Sequence, residues 1–345
     1  VRAVTAFVSV VEAIGRRSVY LSLLIENPLA LRQLIHLCAA SPWISRHIGR
    51  HPVVLDELLQ PIDGSMQFSR EGLLEELNRR LDQVEPGDEE AGMNVLREFQ
   101  HAQVLRVAAT DIAGELDGPG VEHNLTLLAE VLLAQVLEDA CIRVEKKQGP
   151  PPGRVAIIAY GKFAAGELGY HSDLDIVVFF EPDGVSPATQ AEYFFSRVGQ
   201  RLIHLLSTRT HAGALYELDM RLRPSGRSGT LVTSMKAFRD YQLNHAWTWE
   251  HQALIRARVV VGDDELVDAF EAVRREVLSQ QRDQAALVAD IVDMRRRMVE
   301  ANCASDADNV DIKLDHGGIV DIEFLLQYLV LRHAAQCPEI LEPRD

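Results

Sequence analysis

The stretch RVAIIAYGKFAAGELGYHSDLDIVVFF, residues 154–180, decides the fold of this chain. It contains two short apolar runs, Arg154–Tyr160 and Leu174–Phe180, which are rich in β-branched and aromatic residues. Apolar runs of this length are typical of strands that are covered on both faces. The stretch therefore predicts two neighbouring strands of a sheet, connected by a segment that contains glycines.

Two aspartates, Asp173 and Asp175, stand at the start of the second predicted strand. Because side chains alternate between the faces of a strand, both carboxylates are expected on one face, with Cα atoms roughly 6.6 Å apart. The two carboxylates repel each other unless a cation lies between them. Mg²⁺ prefers a few carboxylates together with substrate phosphates as its ligands. The pair is a candidate metal site. The alternative is a pair of exposed aspartates at a strand end without a metal.

A second polar face is predicted in the run 215–223. Its side chains alternate like those of a strand, and the polar ones are Glu217, Asp219, Arg221 and Arg223. Asp219 would add a third carboxylate to the pair, as in two-metal sites for in-line displacement. The two arginines would neutralise phosphate oxygens. The alternative is a solvated strand face with an Asp–Arg ion pair.

The glycines between the first two strands do not form either of two common nucleotide-binding motifs. Gly161 and Gly166 have the spacing of a P-loop, but a Glu-Leu pair follows where that loop needs Lys and then Ser or Thr. No GxGxxG sequence follows a strand, so a dinucleotide fold is unsupported. We take Gly161, Lys162 and Ser172, at the two ends of the segment, as candidate nucleotide-binding residues. Glycine lets the backbone approach a phosphate, and lysine offsets its charge.

Helical patterns occupy most of the remaining chain. Apolar residues recur three and four apart from about residue 18 to 60, and a long apolar stripe runs from Leu125 to Cys141. The run GPPPG at 149–153 ends this stripe, because three prolines cannot continue a helix. Residues 192–206 also predict a helix, and helical patterns resume from Ser234. The sequence therefore predicts an α+β protein that is mostly helical.

Charge, apolar run length and cysteine content exclude several other classes of protein. Lys and Arg number 35 against 51 Asp and Glu, so the formal net charge is −16 and no basic stripe is present for nucleic acid or an anionic membrane. The longest apolar runs fall far short of the roughly 20 residues of a membrane span. The four cysteines are scattered without metal-like spacing, which favours reduced thiols and a cytoplasmic protein. Because the chain begins with Val1, we expect it to be part of a longer protein.

Several of these segments resemble the bacterial glutamine synthetase adenylyltransferase family, bifunctional enzymes also called adenylyl-removing enzymes. The segments that carry the resemblance are residues 160–180, 214–234, 245–263 and 311–332. Residues 18–59 are similar to the segment that links the two catalytic halves of these enzymes. The stretches from 207, 220 and 246 resemble the C-terminal, adenylyl-transferring half.

The resemblance implies a polymerase-beta-like nucleotidyltransferase core, that is, a small mixed sheet with helices, flanked by helical segments. On this basis we divide the chain into a helical linker region at 1–147, the nucleotidyltransferase core at 153–262 and a truncated C-terminal helical region at 263–345. One departure from the family pattern is Ala164-Ala165, where a glycine pair is usual. A positive φ would cost alanine about 1–2 kcal/mol, so we expect the turn to shift to Gly166.

The resemblance also implies an activity: transfer of AMP from ATP to a tyrosine hydroxyl of glutamine synthetase, with release of pyrophosphate. Asp173, Asp175 and Asp219 would hold Mg²⁺, and Asp219 would help to deprotonate the tyrosine. Lys162, Arg221 and Arg223 would offset the charge of the pyrophosphate. The family further implies a PII-type signal protein as a partner.

Other functions remain open from the sequence. The chain could instead carry the deadenylylating chemistry, in which phosphate attacks and ADP leaves, or it could be a module that binds glutamine synthetase or PII without catalysis. A glycosyltransferase that uses the Asp-x-Asp pair is a further alternative, but it gives no reason for the polar face that contains Asp219.

Overall fold

The structure is a computed structural model that describes residues 2–15, 17–59, 68–302 and 311–342. The chain divides into two compact units, each assembled from separate stretches of sequence. The first unit contains Val1–Ile142, Gly166–Asp173 and Arg201–Leu218, and the second contains Arg143–Ala165, Leu174–Gln200 and Asp219–Asp345. The earlier division into three regions stays a prediction.

The described residues form fourteen α-helices and five strands. The helices are α1 (Arg2–Ile14), α2 (Ser18–Glu26), α3 (Pro28–Ala40), α4 (Pro42–Arg50), α5 (Arg70–Leu81), α6 (Glu89–Ile112), α7 (Gly118–Gln148), α8 (Gly161–Ala165), α9 (Ala188–Ser207), α10 (Met235–Asn244), α11 (Thr248–Leu254), α12 (Asp264–Leu278), α13 (Gln284–Asn302) and α14 (Ile319–His333). The strands are β1 (Gly153–Ala159), β2 (Leu174–Pro182), β3 (Leu218–Asp219), β4 (Val232–Ser234) and β5 (Arg258–Val261). Short 3-10 helices lie at Pro52–Leu59, Gly226–Ser228 and Pro338–Leu341. The predicted α+β class, mostly helical with a small mixed sheet, is confirmed.

The first unit begins as a set of short helices, as the apolar spacing between residues 18 and 60 predicts. Pro28 and Pro42 stand at the starts of α3 and α4, where a missing N–H costs no helical hydrogen bond. Asp88 caps α6 by accepting a hydrogen bond from the backbone N–H of Ala91 at 2.9 Å. These helices bury a shared apolar core that includes Leu34, Ile48, Leu55 and Leu105.

Arg97, on α6, is a fully buried cation in the first unit, with 0% of its surface exposed. Its Nε donates to the carbonyl of Gly213 at 2.7 Å, and its Nη1 donates to that of Met93 at 2.7 Å. Its Nη2 donates to the carbonyls of Leu205 and Thr208 at 3.0 and 2.6 Å. Besides the nearby carbonyl of Met93, one guanidinium therefore satisfies three backbone oxygens that lie more than 100 positions away in the sequence.

The second unit is built on a mixed sheet of five strands among the described residues, in the order β3-β2-β1-β5, with β4 also paired to β2. β1 and β2 are antiparallel from Gly153↔Pro182 to Ala159↔Ile176, whereas β4 lies parallel to β2. Residues 156–159 and 176–180 are buried, so the two strands predicted as covered on both faces are confirmed. Helix α7 ends at Gln148 and β1 begins at Gly153, as the proline run predicts.

Two predictions about strands are wrong. The predicted strand at 215–222 is reduced to Leu218–Asp219, because the Asp219 carboxylate accepts a hydrogen bond from the backbone N–H of Arg221 and starts a turn. β5 lies within the region after Ser234, for which the sequence pattern predicts only helices. No helix of the described residues is long and apolar enough to cross a membrane.

Candidate active site

The turn from β1 into α8 is built around Asp175. The backbone N–H of Tyr160 donates to the carbonyl of Asp175 at 2.9 Å. The next residue, Gly161, has φ +56°, and a Cβ atom on it would lie 3.0 Å from Oδ2 of Asp175. A glycine is therefore required at 161, both for the left-handed backbone and for the close approach of the carboxylate.

We expect substitution of this glycine to impair catalysis more than folding. Gly161→Ala should cost about 1–2 kcal/mol of unfolding free energy through its positive φ. By displacing the Asp175 carboxylate, the same change should lower the rate of a reaction catalysed at this site by roughly 100-fold. Gly184→Ala is the matched control, because Gly184 has φ +75° and open space where a Cβ would stand. Equal loss of rate in both variants, measured beside their urea unfolding curves, would contradict a specific role for Gly161.

The predicted shift of the loop turn is confirmed. Ala164 and Ala165 lie in α8, and the left-handed conformation falls on Gly166, with φ +76°. Arg258 on β5 fixes the end of this short helix by donating from Nε to the Ala164 carbonyl at 2.7 Å. The sequence analysis assigned no role to Arg258, and the signal for it is a charged residue at the start of a run of valines.

Asp219, the last residue of β3, is paired with Arg221 two positions later. The Arg221 Nε lies 2.9 and 2.7 Å from the two carboxylate oxygens, and its Nη2 also contacts Oδ2. The hydrogen bond from the Arg221 side chain holds the pKa of Asp219 below its ordinary value. A general base works best with a pKa near the operating pH. Asp219 is therefore better suited to be a metal ligand than a base.

Asp175 and Asp219 share the positive charge of Arg221. The Arg221 pKa is raised, mainly by its hydrogen bond with Asp219, and the Asp175 carboxylate adds to the shift. The Arg221 side chain is 66% exposed, whereas the Asp219 side chain is 22% exposed. Two carboxylates that both act on one exposed cation form an oxygen-rich, anionic donor set that fits Mg²⁺.

The other predicted residues are placed as follows. Lys162 is exposed in the first turn of α8. Arg223 lies in the turn after β3, where its Nη1 donates to the Met220 carbonyl at 2.8 Å. The expectation that Arg223 and Asp219 share one face of a strand is therefore wrong.

Ser172 and Asp173 belong to the first unit and precede β2. The Ser172 hydroxyl accepts a hydrogen bond from the backbone N–H of Gly169 at 3.0 Å.

The first unit also contains a cavity of about 540 Å³. Ser172 and Asp173 line it, together with His51, His101 and Tyr216. None of the last three residues was selected from the sequence. These residues come from distant parts of the chain, so no local sequence pattern indicates that they line one cavity.

Comparisons with known proteins agree with the resemblance of the sequence segments. The family model described as GlnE, glutamate-ammonia ligase adenylyltransferase, matches residues 31–273. A bifunctional glutamine synthetase adenylyltransferase/adenylyl-removing enzyme from Thioalkalivibrio sulfidiphilus (strain HL-EbGR7) is 47% identical over 354 aligned positions. The match covers 98% of this chain but 36% of that relative, so the chain spans about a third of its length. Since the family model matches more than half of the chain, the chain belongs to the glutamate-ammonia ligase adenylyltransferase family.

Proposed function

We propose that this chain transfers AMP from ATP to a tyrosine hydroxyl of glutamine synthetase and releases pyrophosphate, as the adenylyl-transferring part of a bifunctional enzyme. The observation that carries the proposal is the pair Asp175 and Asp219 on the neighbouring strands β2 and β3, with Asp175 beside Gly161 and both carboxylates raising the pKa of Arg221. Family membership supports the same chemistry. In this proposal the sheet is the core of a polymerase-beta-like nucleotidyltransferase domain.

Asp173, Asp175 and Asp219 are the proposed ligands of Mg²⁺. Asp175 and Asp219 are supported by their common electrostatic effect on Arg221, and Asp173 by its position two residues before Asp175 in the sequence. When bound, the metal neutralises the charge of the triphosphate and of the reacting oxygens. The lowered pKa of Asp219 keeps this carboxylate ionised at neutral pH, which is the state that binds a cation.

The remaining side chains orient the nucleotide and balance its charge. The tyrosine hydroxyl loses its proton to solvent, and its oxygen forms a bond to the α-phosphorus of ATP while the bond between that phosphorus and the bridging oxygen of pyrophosphate breaks. Lys162 is exposed on α8, outside the strands of the sheet. Its ammonium offsets the negative charge that develops on pyrophosphate. Arg221, whose side chain is 66% exposed, takes the same role through two parallel N–H donors. Gly161 and Ser172 are proposed to contact the nucleotide, and Arg223 to support the turn that carries Arg221.

ATP and glutamine synthetase are the proposed substrates, and a PII-type signal protein is the proposed regulatory partner. The glutamine synthetase assignment is supported by the names of the family and of the relative. The assignments of ATP and of the PII-type protein rest on the resemblance of the sequence segments to this family. We also propose a cytoplasmic location, since glutamine synthetase would be modified there.

Product analysis tests the proposed reaction. Purified protein, unmodified glutamine synthetase, ATP and Mg²⁺ should yield one AMP on a tyrosine and one pyrophosphate for each turnover. The second assay tests the opposing reaction. It starts from adenylylated glutamine synthetase and inorganic phosphate, and should yield no ADP. A protein that forms ADP in the second assay and leaves glutamine synthetase unmodified in the first would instead be the deadenylylating enzyme. Inactivity in both assays, with binding of glutamine synthetase retained, would favour the non-catalytic module.

A further inference from the structure

Three histidines of the first unit converge at one place, from α4, from the residue that follows α4 and from α6. His47 lies in the last turn of α4, and His51 follows it at the helical spacing of four residues. The backbone N–H of His51 donates to the His47 carbonyl at 2.9 Å, so the helical turn between the two residues is complete. Two histidines at this spacing share one helix face. His101 comes from α6, about 50 positions later.

The nitrogen atoms of these residues are close enough for a single ion. In the part of the chain that the structure describes, one potential ligand atom from each of His47, His51 and His101 lies within 4.8 Å of the other two. A tetrahedral zinc ion with Zn–N bonds of about 2.0–2.1 Å needs its nitrogens roughly 3.4 Å apart. The His51 and His101 rings are stacked in the structure, with centroids 3.6 Å apart. Because the lone pair of an imidazole nitrogen lies in the plane of its ring, binding of one ion requires the less buried His51 ring to turn out of this stack.

Hydrogen bonds to backbone carbonyls fix which nitrogen of two rings carries the proton. His47 Nε2 lies 3.3 Å from the His101 carbonyl, and His101 Nε2 lies 3.0 Å from that of Ala212. Because a carbonyl only accepts, both Nε2 atoms are donors, and each neutral ring keeps a lone pair on Nδ1. The Nδ1 atom of His101 is buried and has no hydrogen-bond partner. A buried polar atom without a partner requires an explanation, and a metal ligand is one.

This arrangement is the one that metal-binding histidines usually have. Such histidines donate the second ring N–H to a backbone carbonyl or a carboxylate, which fixes the tautomer and the orientation of the ring. We propose that His47, His51 and His101 bind one divalent transition-metal ion of the zinc class. Three protein ligands leave a fourth position open, and His51 and His101 line the cavity of about 540 Å³, which gives solvent or a small ligand access to that position.

Electrostatics agrees with neutral rings. Burial, followed by the neighbouring His51, lowers the pKa of His47 to about 4, and the same causes, with His47 in addition, lower the pKa of His101 to about 3. Burial and then the Arg50 guanidinium lower the pKa of His51. Neutral imidazole is the form that ligates metals, so no proton has to be displaced at neutral pH.

Zinc itself is the probe for the test. The purified protein, stripped with a chelator, is titrated with Zn²⁺ in competition with a chromophoric chelator, and Co²⁺ is added separately to record the visible absorption of a tetrahedral site. We expect one Zn²⁺ per chain. His51→Ala and His101→Ala should each weaken binding by more than about 100-fold, because even outer partners of zinc ligands contribute 10- to 100-fold.

His36→Ala is the matched control, since His36 is an exposed histidine on α3 of the same unit. It should bind Zn²⁺ as the wild type does. Far-UV circular dichroism establishes that each variant is folded, and His51→Ala, at a less buried position than His101, keeps the test valid if His101→Ala fails to fold. Absence of saturable binding of Zn²⁺ and Co²⁺ by the wild type would overturn the proposal. So would unchanged stoichiometry and affinity in a folded His51→Ala variant.

Discussion

Replacement of Asp175 by asparagine is expected to lower the rate of the proposed AMP transfer to glutamine synthetase by at least about 1000-fold. Asparagine has the same shape as aspartate but lacks the charge that holds a divalent cation. Metal-mediated stabilisation of the transition state is worth several kcal/mol, and about 4 kcal/mol corresponds to roughly 1000-fold in rate. The measurement is the initial rate of incorporation of labelled AMP at saturating ATP and Mg²⁺.

The same substitution should leave the fold intact. The Asp175 carboxylate lies beside Gly161, and the charges of Asp175 and Asp219 both act on the Arg221 guanidinium. Asparagine keeps the shape of the side chain and removes repulsion between like charges, so thermal stability should stay near that of the wild type or rise above it. Asp268→Asn is the matched control, because Asp268 is an exposed aspartate on α12 of the same unit. A rate for Asp175→Asn within tenfold of the control would remove Asp175 from the proposed metal site.

Of the substitutions predicted for this protein, Arg97→Met should cause the largest loss of unfolding free energy. Methionine fills a similar volume but cannot donate, so the carbonyls of Met93, Leu205, Thr208 and Gly213 lose a charged partner. A buried acceptor that is left unsatisfied costs about 1–3 kcal/mol, and some of these carbonyls regain a partner when the local structure relaxes. We therefore expect a loss of about 3–5 kcal/mol in unfolding free energy.

Urea unfolding measures this loss, and Arg79→Met on α5 is the control because Arg79 is exposed. Since the chain has two units, the two transitions need separate fitting, and the effect should fall on the transition of the first unit. Arg97→Lys keeps the charge but lacks the planar fork of donors, so it should recover part of the stability. A midpoint for Arg97→Met that matches the control would show that these hydrogen bonds contribute little.

The elements that the sequence predicts well are those whose signal lies within the element itself. The apolar stripe from Leu125 to Cys141 lies within α7, and the runs 154–160 and 174–180 are the cores of β1 and β2. β5 was missed because its four residues are only partly buried, and its pairing with β1 is a contact across about 100 positions. The strand at 215–222 was overestimated because alternation ignores the side-chain hydrogen bond of Asp219 to the Arg221 backbone.

The candidate active site follows the same rule. Asp175 and Gly161 were identified because strand alternation and the glycine requirement are local properties of the sequence. The contact of Arg258 with α8, the burial of Arg97 and the approach of His101 to His47 and His51 each depend on segments far apart in the chain. A single sequence contains no local pattern that pairs such residues.

The discontinuous composition of the two units has a consequence for synthesis on the ribosome. Residues 201–218 belong to the first unit, and they supply the carbonyls that Arg97 and His101 bind. Helix α6 therefore emerges with the arginine that is buried in the folded protein, and this cation lacks most of its acceptors until about 110 further residues have been translated. The amino-terminal helices must wait in a partly assembled state while the strands β1 and β2 are made. Truncation between Gln148 and Gly153, the obvious place to cut by sequence, would leave both units incomplete.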